Sequence, residues 1–587
     1  MRSQFKGYLF IFVALATVLV AILGAGFASA NDHSRQTPLT GISGSGKSAT
    51  AAMVAKHVID MRQVPAETSA QANHSSKALP FLTGVSSAVY AQRKADAAHN
   101  QQAPLGSSRS YTVPTTQNTV TPATTKSFQG MANSASICPY FGGCQPPDQA
   151  LATSRSYVVQ GVNSSFAVYT TGGTLQTGWP KNAQSFFGIP NPGSCDPAGP
   201  FLSDPRAFYD TNDGRFWIAM LQVEGAFGLN SCPLLTRYWI AVSRTGDPRA
   251  AWNVYAFDMS LGTTNVADYT QFGFDQQAIY FSGNMFNQSG SAYQYAEIFG
   301  ASKSNMENDL GVSAFGFARL FVSSSRTVLV DTVQPVEAQL ASKYDGPKGG
   351  LFINSWNMNG DPFGDNCFST LCHGLSIWTL TKPGTSTTGL TFALVNSASY
   401  VLPPNADQPG CTHCIETLDT RISGTPPYRN GLISFALETG INNGSQVVPG
   451  ILWGQVAPEM NDDGTLTGAV LFQQGYHFYS GDGTASFGTL MPDADGDLFM
   501  VFEFMNSSIN PEVAYTARRV AYPFGSFHDG GFILKGGNAP TSNSRWGDFE
   551  ATSFDGATNV WFAGEYSASN GNWSTYIGRD SFCATCN

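Results

Sequence analysis

Charge is what this chain has least of. Only 12% of its 587 residues are Asp, Glu, Lys or Arg, about half the share of an average soluble protein. The net charge of -10 leaves no basic stripe for a phosphate backbone, which excludes nucleic acid as a partner. Beyond residue 30 no apolar run is long enough to span a bilayer. Sustained helical periodicity is also missing, so a bundle is excluded. The Gly-x-Ser-x-Gly elbow, the His-Glu-x-x-His zinc helix and the haem-attaching Cys-x-x-Cys-His are absent; His413 lies inside its cysteine pair, not after it.

What is present begins with an export signature. Arg2 and Lys6 precede an apolar run over 8–27, then Ala28-Ser29-Ala30, the order of a signal peptide cut after residue 30. An uncleaved single-span anchor is the alternative and the one membrane contact expected. Ten cysteines suit an exported, secreted or cell-surface protein: Cys138, Cys144, Cys195, Cys232, Cys367, Cys372, Cys411, Cys414, Cys583 and Cys586. The even count favours disulfides.

Residues 31–137 are rich in Ala, Ser, Thr, Gln and Pro and poor in large apolar side chains. They are expected to form a disordered linker or pro-segment, with one amphipathic helix near 51–62. Within them, Gly41-Ile-Ser-Gly-Ser-Gly-Lys-Ser48 matches the phosphate-cradling G-x-x-x-x-G-K-[ST] pattern. A working P-loop follows a buried strand of a parallel sheet, and NDHSRQTPLT is no such strand, so no nucleotide is expected.

From residue 138 the chain becomes a succession of five- to nine-residue runs of strand composition, broken by Gly, Asn, Asp and Pro. The runs group into seven clusters, at about 150–190, 202–258, 270–325, 327–404, 416–476, 477–522 and 530–582. That spacing predicts an all-β β-propeller over 138–587, with seven blades and six as the alternative. Sequence order suggests that neighbouring cysteines pair, as Cys138 with Cys144 and Cys195 with Cys232, while ring closure would bring Cys138 and Cys144 near Cys583 and Cys586, a staple across the ends. Trp179, Trp252, Trp453 and Trp573 are either sugar-stacking platforms or, as large aromatics more often are, packing between blades.

The order PPDQALATSRSYVVQGVN, SDPRAFYDTNDGRFW, AVSRTGDPRAAWNVYAF, DTRISGTPPYRNGLISFA, MPDADGDLFMVFEF and SRWGDFEATSFDG resembles a family of exported bacterial β-propellers of the RWGD-motif type, distantly similar to sialidases. The resemblance covers about 138–582 and implies fold and export. It assigns no catalytic residue.

A sialidase-like site needs several guanidiniums to clamp a carboxylate, a Tyr–Glu pair as nucleophile and base, and an Asp as acid. Arg421, Arg518, Arg545, Asp548, Glu565 and Tyr566 supply those types. The plainer reading pairs each Arg with a nearby Asp or carbonyl to fasten the blades. Asp493, Asp495 and Asp497 offer hard oxygens for Ca²⁺, though an Asp-Gly hairpin turn explains them equally. Cys411-Thr-His413-Cys414 with Cys367, Cys372 and His373 or the last Cys pair could hold zinc, but export favours disulfides. The sequence therefore points to binding of a carbohydrate or protein ligand by loops on one propeller face, with a glycoside hydrolase and a structural surface module as alternatives.

Overall fold

Short apolar runs separated by turn residues can bury both faces only if they meander into small sheets that pack on one another, and the computed structural model shows that arrangement. It describes residues 41–66, 82, 85–106, 122–134, 136–138, 144–190, 199–339, 346–528, 531–557 and 559–582. The expected export signal, Cys195, Cys583 and Cys586 lie outside them. No helix among the described residues is long and apolar enough to cross a membrane.

The fold is an all-β propeller of antiparallel meanders. Five stand as separate four- or five-stranded sheets, at 150–182, 201–258, 334–395, 484–535 and 551–581. The expectation of seven separate blades is corrected at the other two clusters. The meanders at 266–323 and 427–477 join into one eleven-stranded sheet, because the two-residue strand Glu337–Ala338 pairs in parallel with Phe274 on one side and with Pro427 and Tyr428 on the other.

The segment read as a disordered arm supplies edge strands instead. Ser43–Ala51 pairs with Ala314–Ser323, Met53–Asp60 with Ala251–Asp258, and Ala123–Ala132 with Trp573–Ser581. Where a helix was expected near 51–62 there is a strand. Most of the P-loop-like motif is likewise extended in a ladder, a different backbone from the loop that wraps a phosphate. The last sheet is thus completed by a strand from near the other end of the chain. The expected cysteine staple is not what closes it: Cys138 bonds to Cys144 locally, as Cys367 does to Cys372 and Cys411 to Cys414.

Aromatic side chains fill the gaps between sheets. Phe208 stacks on Phe274 with centroids 4.0 Å apart, and Trp453 meets Phe527 at 4.4 Å. Each Phe buried this way stabilises by roughly 1.5–3 kcal/mol. All ten tryptophans are buried, so none is a stacking platform for a sugar.

Candidate functional site at the strand starts

Where the first strand of a meander begins, the backbone enters the left-handed region. Asp148, Asp204, Tyr269, Thr332, Leu418, Phe487 and Asp548 have φ between 46° and 95°. In three meanders a β-bulge coincides, between Ser203 and Arg206, Asp268 and Gln271, and Ser486 and Thr489. A bulge frees an amide from the ladder and re-aims the neighbouring side chains. Side chains from nearby sheets accept those amides: Asn163 Oδ1 takes Asp204 N at 2.9 Å, Asp204 Oδ2 takes Thr270 N at 3.0 Å, Asn284 Oδ1 takes Thr332 N at 2.7 Å, and Glu438 takes Phe487 N.

The same geometry gathers carboxyls. Asp148, Asp204, Asp268, Asp331, Asp419 and Asp548 lie at or beside these positions, and their charges act on one another. Burial, then the neighbouring carboxylates, pushes Asp268 and Asp331 up to about 7. Burial raises Asp548 to about 6 despite Arg545 and Arg421. Asp419 is the exception: burial opposes ionisation, but the Arg421 guanidinium overcomes it and holds the carboxyl low.

Two of the three sequence-predicted arginines are here, each already bonded. Arg421 grips Asp419 through Nε at 2.7 Å and Nη2 at 2.6 Å and lies 4.3 Å from the Tyr269 ring. Arg545 donates to both oxygens of Asp548, at 2.7 and 2.5 Å. Arg518 is elsewhere, donating to the carbonyls of Ser526 and Tyr522 beside Trp453. The Tyr–Glu pair does not form either. Neighbours on a strand point to opposite faces, so Glu565 turns inward to accept Gly547 N at 3.0 Å while Tyr566 hydrogen-bonds Gln129 at 2.6 Å. Of the six residues, Arg421, Arg545, Asp548 and Glu565 are thus brought together, and Arg518 and Tyr566 lie apart from them. Asp493, Asp495 and Asp497 form a turn in which Asp493 Oδ1 accepts the amides of Asp495 and Asp497, and Asp497 accepts Val520 N.

One or two residues along from the ring, the strands leave a cavity of about 20 Å³, room for about one water-sized molecule, with a mouth partly open to solvent and lined by Gln149, Arg206, Glu337, Thr425, Thr489 and Glu550 among others. Arg206 was missed by sequence reasoning. Its guanidinium lies 3.3 Å from the centroid of the Phe549 ring, fully buried, and Nε and Nη2 have no hydrogen-bond partner in the protein. Asp148 Oδ1 and Gln149 Oε1 are unpartnered acceptors in the same region. The signal available in sequence was SDPRAFYD, where an Arg interrupts a run of strand composition.

The helix Ser87–Ala97 stands beside the ring. Lys94 Nζ donates to Leu418 O at 2.5 Å and Thr417 Oγ1 at 2.9 Å and pairs with Glu416 at 3.2 Å, while Tyr90 donates to the same carboxylate at 3.2 Å.

No family model and no curated protein matches the chain. Solved structures overlap it loosely. A polysaccharide lyase of the ulvan lyase family is 12% identical over 73% of this chain and 91% of its own, with a TM-score of 0.36. The parainfluenza virus 5 haemagglutinin-neuraminidase, solved with the ligand DANA, is 8% identical over 67% and 92%, TM-score 0.34. Drosophila plexin A, in complex with semaphorin 1b, is 10% identical over 78% and 87%, TM-score 0.32. Overlaps this loose carry no argument about chemistry.

Proposed function

We propose that this is an exported propeller that binds a carbohydrate in the cavity ringed by the strand starts. The observation that carries the reading is Arg206, buried on Phe549 with two nitrogens unpartnered, beside the unpartnered acceptors Asp148 Oδ1 and Gln149 Oε1. Leaving such groups unsatisfied costs about 1–3 kcal/mol each, more for a charge. A sugar hydroxyl both donates and accepts, so one polyhydroxylated ligand satisfies the guanidinium and the acceptors together. An apolar ligand satisfies neither.

A second reading, glycoside hydrolysis, has its own support in Asp268, a carboxyl raised to about 7 that can deliver a proton near neutral pH. The test is a glycan-array screen of wild type and Arg206→Met, with released sugar assayed in parallel. Binding that disappears in Arg206→Met while thermal stability is kept supports the binding site. Sugar release lost in Asp268→Asn gives preference to the hydrolase. A protein ligand with no glycan bound, or binding indifferent to Arg206, removes the proposal.

A further inference from the structure

Two clusters of metal-ligating side chains occur among the described residues, and they differ in what fills them. In the first, Asp210, Asp213 and Glu307 surround Lys303, whose Nζ sits 2.5 Å from Asp210 and 2.6 Å from Asp213. An ammonium already supplies the cation there, so that cluster carries nothing further.

The second cluster is Asp361, Asp365 and His373, in the loop between the strands Gly350–Ser355 and Leu375–Thr381. The ligand atoms of the three residues lie within 4.8 Å of one another. Asp361 has a divided role. Its Oδ1 accepts the amides of Phe363, Gly364 and Asp365, each at 2.9 Å, and so shapes the loop. Its Oδ2 is fully buried, has no hydrogen-bond partner, and faces His373 Nδ1 at 4.0 Å. A buried carboxylate oxygen left this way is costly unless something cationic meets it.

The surroundings hold the three residues in place. Arg326 donates to the carbonyls of Asn359, Asp361 and Asp365 and pins the loop backbone. The disulfide Cys367–Cys372 closes the segment just before His373. The imidazole stacks on Phe363 with centroids 4.9 Å apart and planes within 10°, and Trp356 Nε1 donates to the His373 carbonyl at 2.9 Å. Ring orientation and backbone are thus both fixed.

We propose that Asp361, Asp365 and His373 bind a divalent transition cation of the zinc class. Two carboxylate oxygens and one imidazole nitrogen suit zinc, whose bonds to O and N are about 2.0–2.2 Å and whose tetrahedral ligands lie roughly 3.4 Å apart. The Nδ1–Oδ2 separation of 4.0 Å needs only a small contraction to reach that. The imidazole argues against calcium or magnesium, which take oxygen. Water completes the coordination of a three-ligand site. The cation would fix a loop that reaches the strand-start ring, since Asn357 donates to Asp331 Oδ1 at 3.2 Å and Thr420 donates to the Trp356 carbonyl at 2.8 Å.

The experiment is calorimetric titration of the chelator-stripped full-length protein with Zn²⁺, with bound metal counted after dialysis. Wild type is expected to hold one more equivalent of Zn²⁺ than His373→Ala, and Asp365→Asn to weaken that equivalent at least tenfold. His373→Ala keeps the carbonyl that Trp356 uses, so it tests binding without dismantling the loop. Asp361→Asn also loses loop support and serves only as a third variant. Indistinguishable wild-type and His373→Ala titrations overturn the proposal. Uptake of Ca²⁺ in place of Zn²⁺ at this site overturns the assignment to a transition metal.

Discussion

The first strands of the meanders carry polar residues at both ends, and the two rows do different work. At the far end, Ser154, Asp210, Asp275, Asp493 and Asp555 accept the amides of the hairpin that follows. Asp275 Oδ1 takes Gln277 N at 2.7 Å and Ala278 N at 2.9 Å, and Asp555 Oδ1 takes Ala557 N at 2.9 Å. Apart from Asp210, whose Oδ2 takes Lys303, their acceptors are consumed within a few residues of the chain, as in any Asx turn. At the near end, Asp148, Asp204 and Asp331 are met by side chains and amides 15 to 66 residues away, while Asp548 is held by Arg545 three residues before it; the cavity is lined by residues one or two further along three of these strands, Gln149, Arg206 and Glu550. Titration does not separate the rows, because burial raises Asp493 to about 7 just as it raises Asp268 and Asp331. Partners do. An aspartate spent on its own turn is structural, whereas one shared among several sheets is placed to meet something that is not the chain.

The ring exists only while the propeller is closed, so the largest effect is expected from opening it. A 138–587 fragment lacks Ser43–Ala51, Met53–Asp60 and Ala123–Ala132, which exposes the edges of Ala314–Ser323, Ala251–Asp258 and Trp573–Ser581. Bare edges template pairing with other chains. The fragment should aggregate on refolding where 31–587 stays monomeric by light scattering; a monomeric, cooperatively melting fragment would show that closure does not depend on these strands.

Next in size is Arg421→Ala. It leaves Asp419 buried with its principal partner gone, a loss of roughly 3–5 kcal/mol. The turn-row variant Asp555→Ala gives up one amide bond and two weaker side-chain bonds, from Asn559 at 3.1 Å and Trp561 at 3.3 Å, worth about 2 kcal/mol together. Denaturant midpoints of the two variants give the ratio directly. Equal losses would erase the distinction between the rows.

These strands show where sequence reasoning reached and where it stopped. The strand runs were legible where a hairpin advertises itself with Gly-Gly, Asp-Gly or Asn-Gly, as at 172–173, 213–214, 430–431, 555–556 and 570–571, and less so where the chain turns without glycine, as at 154–156 and 275–277. The three edge strands were not, and Met53–Asp60 shows why. Its alternation is blurred: Val54 and Val58 point outward at 44% and 42% exposure, while His57 shares the inward face with Met53, Ala55 and Ile59 and hydrogen-bonds the Phe187 carbonyl at 2.9 Å. In Ser43–Ala51 the inward positions include Gly44 and Gly46, where an added Cβ would come within 2.4 Å of Phe392 and 2.7 Å of Leu320. Glycine facing a core leaves no apolar period to read. The ring was legible only at its two ends, through Arg421 and the RWGD stretch. Its other members occur once per meander, with no local motif to unite Asp148, Asp204, Asp268 and Asp331 before the strands converge.

A smaller effect sharpens the electrostatic side. Asp331 is raised to about 7 by burial, with Asp419 adding and Arg421 opposing, against about 3.9 unfolded. The folded state therefore binds the extra proton, so this group's stabilisation is full below about pH 4 and is lost as pH rises to about 7. His477 runs the other way, held down to about 4 by burial. Comparing wild type with Asp331→Asn cancels His477. The variant should gain melting temperature relative to wild type at pH 8 and lose that advantage at pH 4.5; a constant difference would mean that Asp331 does not titrate between those values.

The smallest effect is expected in the turn row itself, at the residues that looked most like a calcium site. Asp495 is exposed and is tied to Asp493 through its amide, not its carboxylate. Asp495→Asn keeps that amide, so stability should change by less than about 0.5 kcal/mol. Asp493→Ala removes the acceptor of two amides and should cost about 1 kcal/mol. Millimolar Ca²⁺ should leave the melting temperature of both variants and of wild type where it was, because Asp493 Oδ1 and Asp497 Oδ1 are already committed to the backbone. A Ca²⁺-dependent rise in wild type that Asp495→Asn abolishes would move these residues out of the turn row. It would also show that an aspartate's commitment to its own turn does not bar it from binding a ligand, and the criterion separating the two rows would fail with it.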